Sequence, residues 1–224
     1  MRREQSSARA QQSAGSRLNV RRLLAVGTVV ALALLLATVA SASNIFRDPS
    51  DGRIVHWSDG SRSQAWVTIV DHTGPNWPVY APAIDWDNAG HINVTYYSNS
   101  CNGNDHCVGV NNFDFNQNCR DRGGNTINVW SHSGQAHMTG DTHIDLNQRC
   151  ADNVGEQYTD SNRKVITCHE EGHAIGSLAN AVNASYRDTC MAATGGNFDQ
   201  SDASRTGQQH DFVMLDDEIY DHND

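Results

Sequence analysis

The first two thirds of the chain alternate short apolar segments with polar ones, a pattern typical of strands. Strands are rich in apolar, β-branched and aromatic residues, often at every second position. Such segments occur near Ile54–Trp57 and at residues 65–70, 91–98, 107–115, 125–131 and 143–147. Residues 116–124 are rich in Asn, Arg and Gly and predict a loop between two of these strands.

Three other segments carry helical signals. Residues 79–88 predict a short helix, and residues 208–222 predict a final helix with its apolar residues on one side. Asp160 or Ser161 is a suitable N-cap for a longer helix, and Gly176 is a suitable end for it. Strands mixed with few helices predict an α+β or α/β fold in one domain.

Residues 1–42 have the composition of a targeting segment. Six arginines precede an uncharged, mostly apolar run at residues 23–42, which ends in Ala40-Ser41-Ala42. This pattern predicts an export signal removed after Ala42, and hence a secreted protein. The alternative is an uncleaved anchor with the rest of the chain facing outward, because the run is long enough to span a bilayer. A loose lead-in at residues 43–64 and a globular domain at 65–224 would follow.

Charge and cysteine content indicate which partners and which cellular location to expect. Residues 43–224 contain 10 of the 16 Lys and Arg and 25 of the 26 Asp and Glu, a formal charge of −15. This acidity excludes nucleic acid as an expected partner, because phosphate binding needs a basic surface. All six cysteines also lie in this part, an even number that predicts disulfides in an exported protein. Their spacing leaves the connectivity open.

The sequence His169-Glu170-Glu171-Gly172-His173 is an H-E-x-x-H motif within the predicted long helix. Residues four apart lie on one face of a helix, so His169 and His173 are candidate ligands of one zinc ion. Glu170 is the candidate general base toward a water on that metal, the chemistry of peptide hydrolysis. Glu171 is expected to be a solvated carboxylate. The chain has no G-x-S-x-G and no phosphate-binding loop that would favour another chemistry.

With Gly176 the motif becomes H-E-x-x-H-x-x-G, and Cys190-Met191 follows it. In these features the chain resembles the metzincin zinc endopeptidases, in particular small secreted matrixin-like proteases of bacteria. The resemblance implies a single α+β domain with a twisted, mostly parallel sheet, an active-site helix and a C-terminal helix. It also implies that Met191 lies beneath the metal and that a Cys168–Cys190 disulfide joins the helix to this turn.

One position departs from the family. The motif continues to a third ligand, His or Asp, where this chain has Ala179. Alanine cannot bind zinc, and catalytic zinc normally has three protein ligands. Replacements for the missing ligand are sought in the loop after the helix or in the tail, at Asn180, Asp188, His210, Asp211, Asp216, Asp217 or Glu218.

Further metal sites are weaker expectations. The resemblance implies a structural zinc in the region of His132, His137 and His143. Residues 85–90 are rich in oxygen ligands, which keeps Ca²⁺ as a candidate cofactor. However, Tyr96 stands at the twelfth position of that loop in place of a glutamate, so a helix-ending turn is the preferred interpretation.

The sequence therefore predicts a secreted, monomeric zinc endopeptidase that acts on peptides or proteins, with Glu170 as the catalytic residue. The alternative is an inactive, protease-like binding protein at the cell surface. The membrane is an expected partner only if the N-terminal segment remains attached.

Overall fold

A computed structural model describes residues 45–59, 64–88, 90, 92–101, 106–119, 121–131, 136–152, 158–176, 178, 189–191, 212 and 214–220. The chain divides after Ser43 into two units, and all of these residues belong to the second. None of the helices they form is long and apolar enough to cross a membrane. The apolar run at residues 23–42 lies outside them.

Strands and helices follow one another in a mixed order. The strands are β1 (Ala65–Asp71), β2 (Ile92–Tyr97), β3 (His106–Phe113), β4 (Gly124–Ile127) and β5 (His143–Asn147). The helices are α1 (Tyr80–Asp87), α2 (Gln148–Ala151) and α3 (Asp160–Gly176), and a π-helical segment covers Met214–Ile219.

The five strands form one sheet in the order β2-β1-β3-β5-β4. Neighbouring strands are parallel except for β4, which pairs antiparallel with β5 and ends the sheet. The predicted α+β class with a mostly parallel sheet is therefore confirmed. Because β4 is the last strand, its outer edge lies at the border of the sheet.

The core lies between the sheet and the two longer helices. Alternate residues of β1, β3 and β5, such as Ile69, Val108 and Ile144, are fully buried, as expected for a covered face. Helix α1 packs against β2 and α3, and α3 also packs against β4 and β5. The buried Trp86 of α1 donates from its indole nitrogen to the carbonyl of Cys168, at 3.1 Å.

The lead-in at residues 43–64 was expected to be loose, but its described part, 45–59, is built into the core. Val55 and Trp57 are completely buried. The Trp57 indole donates to the carbonyl of Ala174 at 2.8 Å, and Ile45 forms an isolated antiparallel bridge with Leu178. Ile54 and His56 likewise form isolated bridges in place of the expected strand. This segment thus supports the C-terminal end of α3.

All six cysteines are described, and they form three disulfides. The pairs are Cys101–Cys107, Cys119–Cys150 and Cys168–Cys190, with Cα–Cα distances of 5.9, 5.0 and 5.9 Å. These separations lie within the range of protein disulfides. The Cys168–Cys190 bridge that the resemblance implied is therefore confirmed, and it ties α3 to the turn that contains Met191.

Two elements differ from their predictions. The strand expected at 125–131 ends at Ile127, because Asn128 and Val129 leave the ladder and the next pairing is the isolated bridge Trp130–Met138. The final helix expected at 208–222 is described mainly as the π-helical segment. Most of residues 180–196, the segment that follows α3, lies outside the described residues.

Candidate metal centre

Helix α3 brings the two motif histidines together, as the spacing predicted. One helical turn separates His169 and His173, so their rings lie on one face with centroids 4.6 Å apart. The two Nε2 atoms are 3.1 Å apart. His169 is buried, with 8% of its surface exposed.

Backbone carbonyls fix the orientation of both rings. Nδ1 of His169 donates to the carbonyl of Cys190 at 2.7 Å, and Nδ1 of His173 donates to the carbonyl of Leu178. A carbonyl can only accept, so in these hydrogen bonds each Nδ1 carries the proton, and each Nε2 is the ring atom left for a metal. Metal-binding histidines are commonly oriented by such second hydrogen bonds.

This pair of nitrogens fits a zinc ion. Zinc–nitrogen bonds of about 2.0–2.1 Å at a tetrahedral angle place two ligand nitrogens about 3.3 Å apart. The observed 3.1 Å between the Nε2 atoms is close to that separation. Two lone pairs this near each other repel unless a cation or a proton lies between them.

No third ligand is found among the side chains that the structure describes. They contain no group of three or more His, Cys, Asp or Glu side chains that could hold a metal ion. Ala179 and four of the sequence candidates, Asn180, Asp188, His210 and Asp211, lie outside the described residues. The other three belong to the π-helical segment, where the backbone alone is described.

Met191 packs directly on the helix between the two histidines. It is buried, and a Cβ added at Gly172 would lie 2.3 Å from its sulfur and 2.9 Å from the Trp86 ring. Glycine at 172 is therefore required for this close packing. The contact and the Cys168–Cys190 bridge hold the Cys190 carbonyl at the position where it accepts from His169.

Glu170 points away from this packing, toward the edge strand β4. Its Oε2 accepts from the Thr126 hydroxyl at 2.7 Å, and the same hydroxyl lies 2.8 Å from the Glu170 main-chain oxygen. Burial raises the pKa of Glu170, while His169 and the hydrogen bond from Thr126 act to lower it. A base with a raised pKa is better matched to proton transfer near neutral pH.

Glu171 is not the solvated carboxylate that its charge suggested. The side chain is completely buried, and neither carboxylate oxygen has a hydrogen-bond partner among the described residues. Burial raises the pKa of Glu171 well above its usual value, and the neighbouring Asp71 and Asp85 raise it further. Asp85 itself pairs with Lys164 at 3.0 Å.

The histidines suggested for a structural zinc have separate surroundings where they are described. The His137 ring packs edge-on against His56, with centroids 5.0 Å apart. His143 begins β5 and contacts the Asp141 carbonyl through Nδ1. His132 lies outside the described residues.

The oxygen-rich segment at residues 85–90 ends a helix, as preferred from the sequence. Helix α1 stops at Asp87, Asn88 caps it, and Gly90 follows with a φ of 99°. The Asp87 carboxylate accepts from the backbone amide of Val94. These contacts tie the turn to β2.

The comparisons with known proteins add no relative. No protein-family model matches the chain, and no curated protein sequence matches it either.

Proposed function

We propose that this chain is a zinc-dependent endopeptidase with a metzincin-type arrangement. The observation that carries the proposal is the convergence of two Nε2 atoms, 3.1 Å apart, next to a buried glutamate on the same helix. The resemblance of His169–Gly176 and Cys190-Met191 to the metzincin motifs supports the same class.

His169 and His173 would hold the zinc, which when bound supplies Lewis acidity toward a water and a peptide carbonyl. Glu170 removes a proton from the attacking water and delivers it to the amine that leaves. The Nδ1 hydrogen bonds keep both imidazoles in the tautomer that binds metal. The missing ligand would come from the segments after α3.

The substrate would be an extended peptide. Among the described residues, strand β4 is the last strand of the sheet and packs against α3, so this edge strand lies beside Glu170. A peptide can add to such an edge as a further strand through main-chain hydrogen bonds. Three disulfides support a working place outside the reducing cytoplasm.

A second candidate is a protease-like binding protein without turnover. Ala179 and the two-histidine centre favour it, because a site with only two protein ligands holds zinc weakly. Both proposals require the same fold, and they differ in whether peptide bonds are cleaved.

Zinc content and cleavage measured on one preparation separate the two. The protein without residues 1–42 is purified, loaded with zinc and incubated with a mixed peptide library. The endopeptidase proposal expects about one zinc per chain, and cleavage that a chelator removes and added zinc restores. Bound zinc with no cleavage of any peptide would reject the enzyme in favour of the binding protein.

A further inference from the structure

The face of β4 that looks toward α3 is shaped around the side chain of Glu170. Gly124 and Thr126 are two residues apart on this strand, so both lie on the same face. One leaves room for the glutamate and the other bonds to it. The inference drawn from them rests on the proposed function, because it concerns the base of that reaction.

Gly124 provides the room. A Cβ added there would lie 2.8 Å from Glu170 Cγ and 3.0 Å from Glu170 Oε1. The first distance is shorter than real Cβ contacts and the second is tighter than most of them, so the clash would involve the stem of the side chain as well as its tip. Any larger residue at 124 would therefore push the carboxylate out of its present position.

Thr126 holds Glu170 at two points. Its hydroxyl oxygen lies 2.7 Å from Oε2 and 2.8 Å from the main-chain oxygen of the same residue. The β-branched side chain has few rotamers, so the hydroxyl is itself well fixed. The carboxylate is thereby tied to its own backbone and to the edge strand at once.

We propose that Gly124 and Thr126 form a seat that positions Glu170 for proton transfer, and that Thr126 is a positioning residue of the reaction. The seat is on the strand that a peptide substrate would pair with. Ordering of that strand by the substrate would then also order the base. The seat acts on the chemical step, whereas the two histidines bind the metal without it.

The test compares Thr126→Val with Thr126→Ser in the zinc-loaded protein. Valine keeps the shape and removes the hydroxyl, and we expect kcat to fall about 10- to 100-fold, as a displaced catalytic group predicts. KM should change by less than about twofold, because the contact does not touch the bound peptide. Serine keeps the hydroxyl and should restore kcat to within about threefold of the unmodified protein.

Matched variants control for general effects. Thr95 lies on β2, and its hydroxyl contacts that of Thr68 on β1 at 2.9 Å. Thr95→Val removes this hydroxyl away from the site and should leave kcat unchanged. Gly124→Ala should lower kcat, whereas Gly140→Ala, where an added Cβ meets nothing within 4 Å, should not. Zinc affinity, measured by competition with a coloured chelator, should be the same in all of them.

Equal kcat for Thr126→Val and Thr95→Val would overturn the seat. If the unmodified protein shows no chelator-sensitive cleavage, the proposed function fails, and the seat is tested by stability instead. Urea unfolding of Thr126→Val, Glu170→Ala and the double variant should then give an unfolding constant that departs about tenfold from additivity. Additive effects would show that the seat does not hold the glutamate.

Discussion

Two adjacent glutamates of α3 face opposite environments. Glu170 turns toward β4, where Thr126 donates to its carboxylate and Gly124 makes room for it. Glu171 turns into the interior, where both oxygens lack a hydrogen-bond partner among the described residues and where Asp71 and Asp85 face it.

Burial alone therefore does not identify a carboxylate that is suited to proton transfer. Both side chains are packed, and burial raises the pKa of both. The difference lies in the contacts: a hydrogen-bonded carboxylate can accept a proton in a defined geometry, whereas an unpartnered buried one mainly lowers stability. The two positions can thus be separated by activity and by stability.

The largest expected effect is on turnover. Glu170→Gln should lower kcat/KM by about 10²- to 10⁴-fold, because the amide cannot take up a proton. Zinc should stay bound, since His169 and His173 are unchanged. Glu171→Gln is the matched control and should stay within about threefold of the unmodified protein in a peptidase assay. Equal losses in the two variants would remove the distinction between the glutamates.

The next effect concerns the disulfide that supports the face of α3 that carries His169 and His173. Replacing Cys168 and Cys190 by Ala frees the turn whose carbonyl accepts from His169. Loss of such a second hydrogen bond typically lowers metal affinity about 10- to 100-fold. We expect that decrease in a competition titration with a chelator. The Cys101/Cys107 double alanine variant is the control, and a similar decrease there would contradict the role of the Cys190 carbonyl.

In measurements of stability, the replacement of Glu171 should have the larger effect, whereas in the peptidase assay it is the replacement of Glu170. Glu171→Met replaces an unpartnered buried carboxyl by an apolar side chain of similar length. We expect it to raise the free energy of unfolding by about 1–3 kcal/mol. Glu170→Met should not stabilise, because it takes the acceptor away from Thr126. Urea unfolding measures both, and a less stable Glu171→Met protein would mean that the carboxyl has a stabilising role.

The smallest effect is a dependence on pH. The pKa of Glu171 is raised in the folded state, so the folded protein holds this proton more tightly than the unfolded chain. Its contribution to stability is therefore fully present below the ordinary value of 4.5 and is lost as the pH rises toward the raised folded pKa.

Unfolding of the metal-free protein and of its Glu171→Gln variant, followed from about pH 4 to about pH 9, gives this contribution by difference. The unmodified protein should lose stability relative to the variant as the pH increases. The same experiment with Glu170→Gln should give a weaker trend, because Thr126 and His169 act against the effect of burial there. Parallel curves for the unmodified protein and Glu171→Gln would contradict the raised pKa.

The sequence predicted the elements whose signals are local. Helix α3 and strand β1 were placed within about one residue, because helical spacing, a terminal glycine and runs of β-branched residues act over a few positions. The convergence of His169 and His173 followed from the same spacing. The order of the sheet did not, since it depends on pairings between distant segments.

The surroundings of the two glutamates were missed for different reasons. Thr126 lies 44 residues before Glu170, and nothing in the local sequence marks it as a partner. The burial of Glu171 did have a signal, because Cys168 and Ile175 lie three residues before and four after it on the same side of the helix and are buried. The charge of Glu171 nevertheless led to the prediction of a solvated side chain.

The completely buried indole of Trp57 donates to the carbonyl of Ala174, and Ala174 lies one residue beyond His173 on the helix. Trp86 bonds to Cys168, one residue before His169. The helical turn that carries His169 and His173 thus has an intrinsic fluorophore at each end. Loosening of either end would move an indole into a more polar setting and shift its emission to longer wavelength, so each half of the turn can be followed separately in a Trp→Phe background.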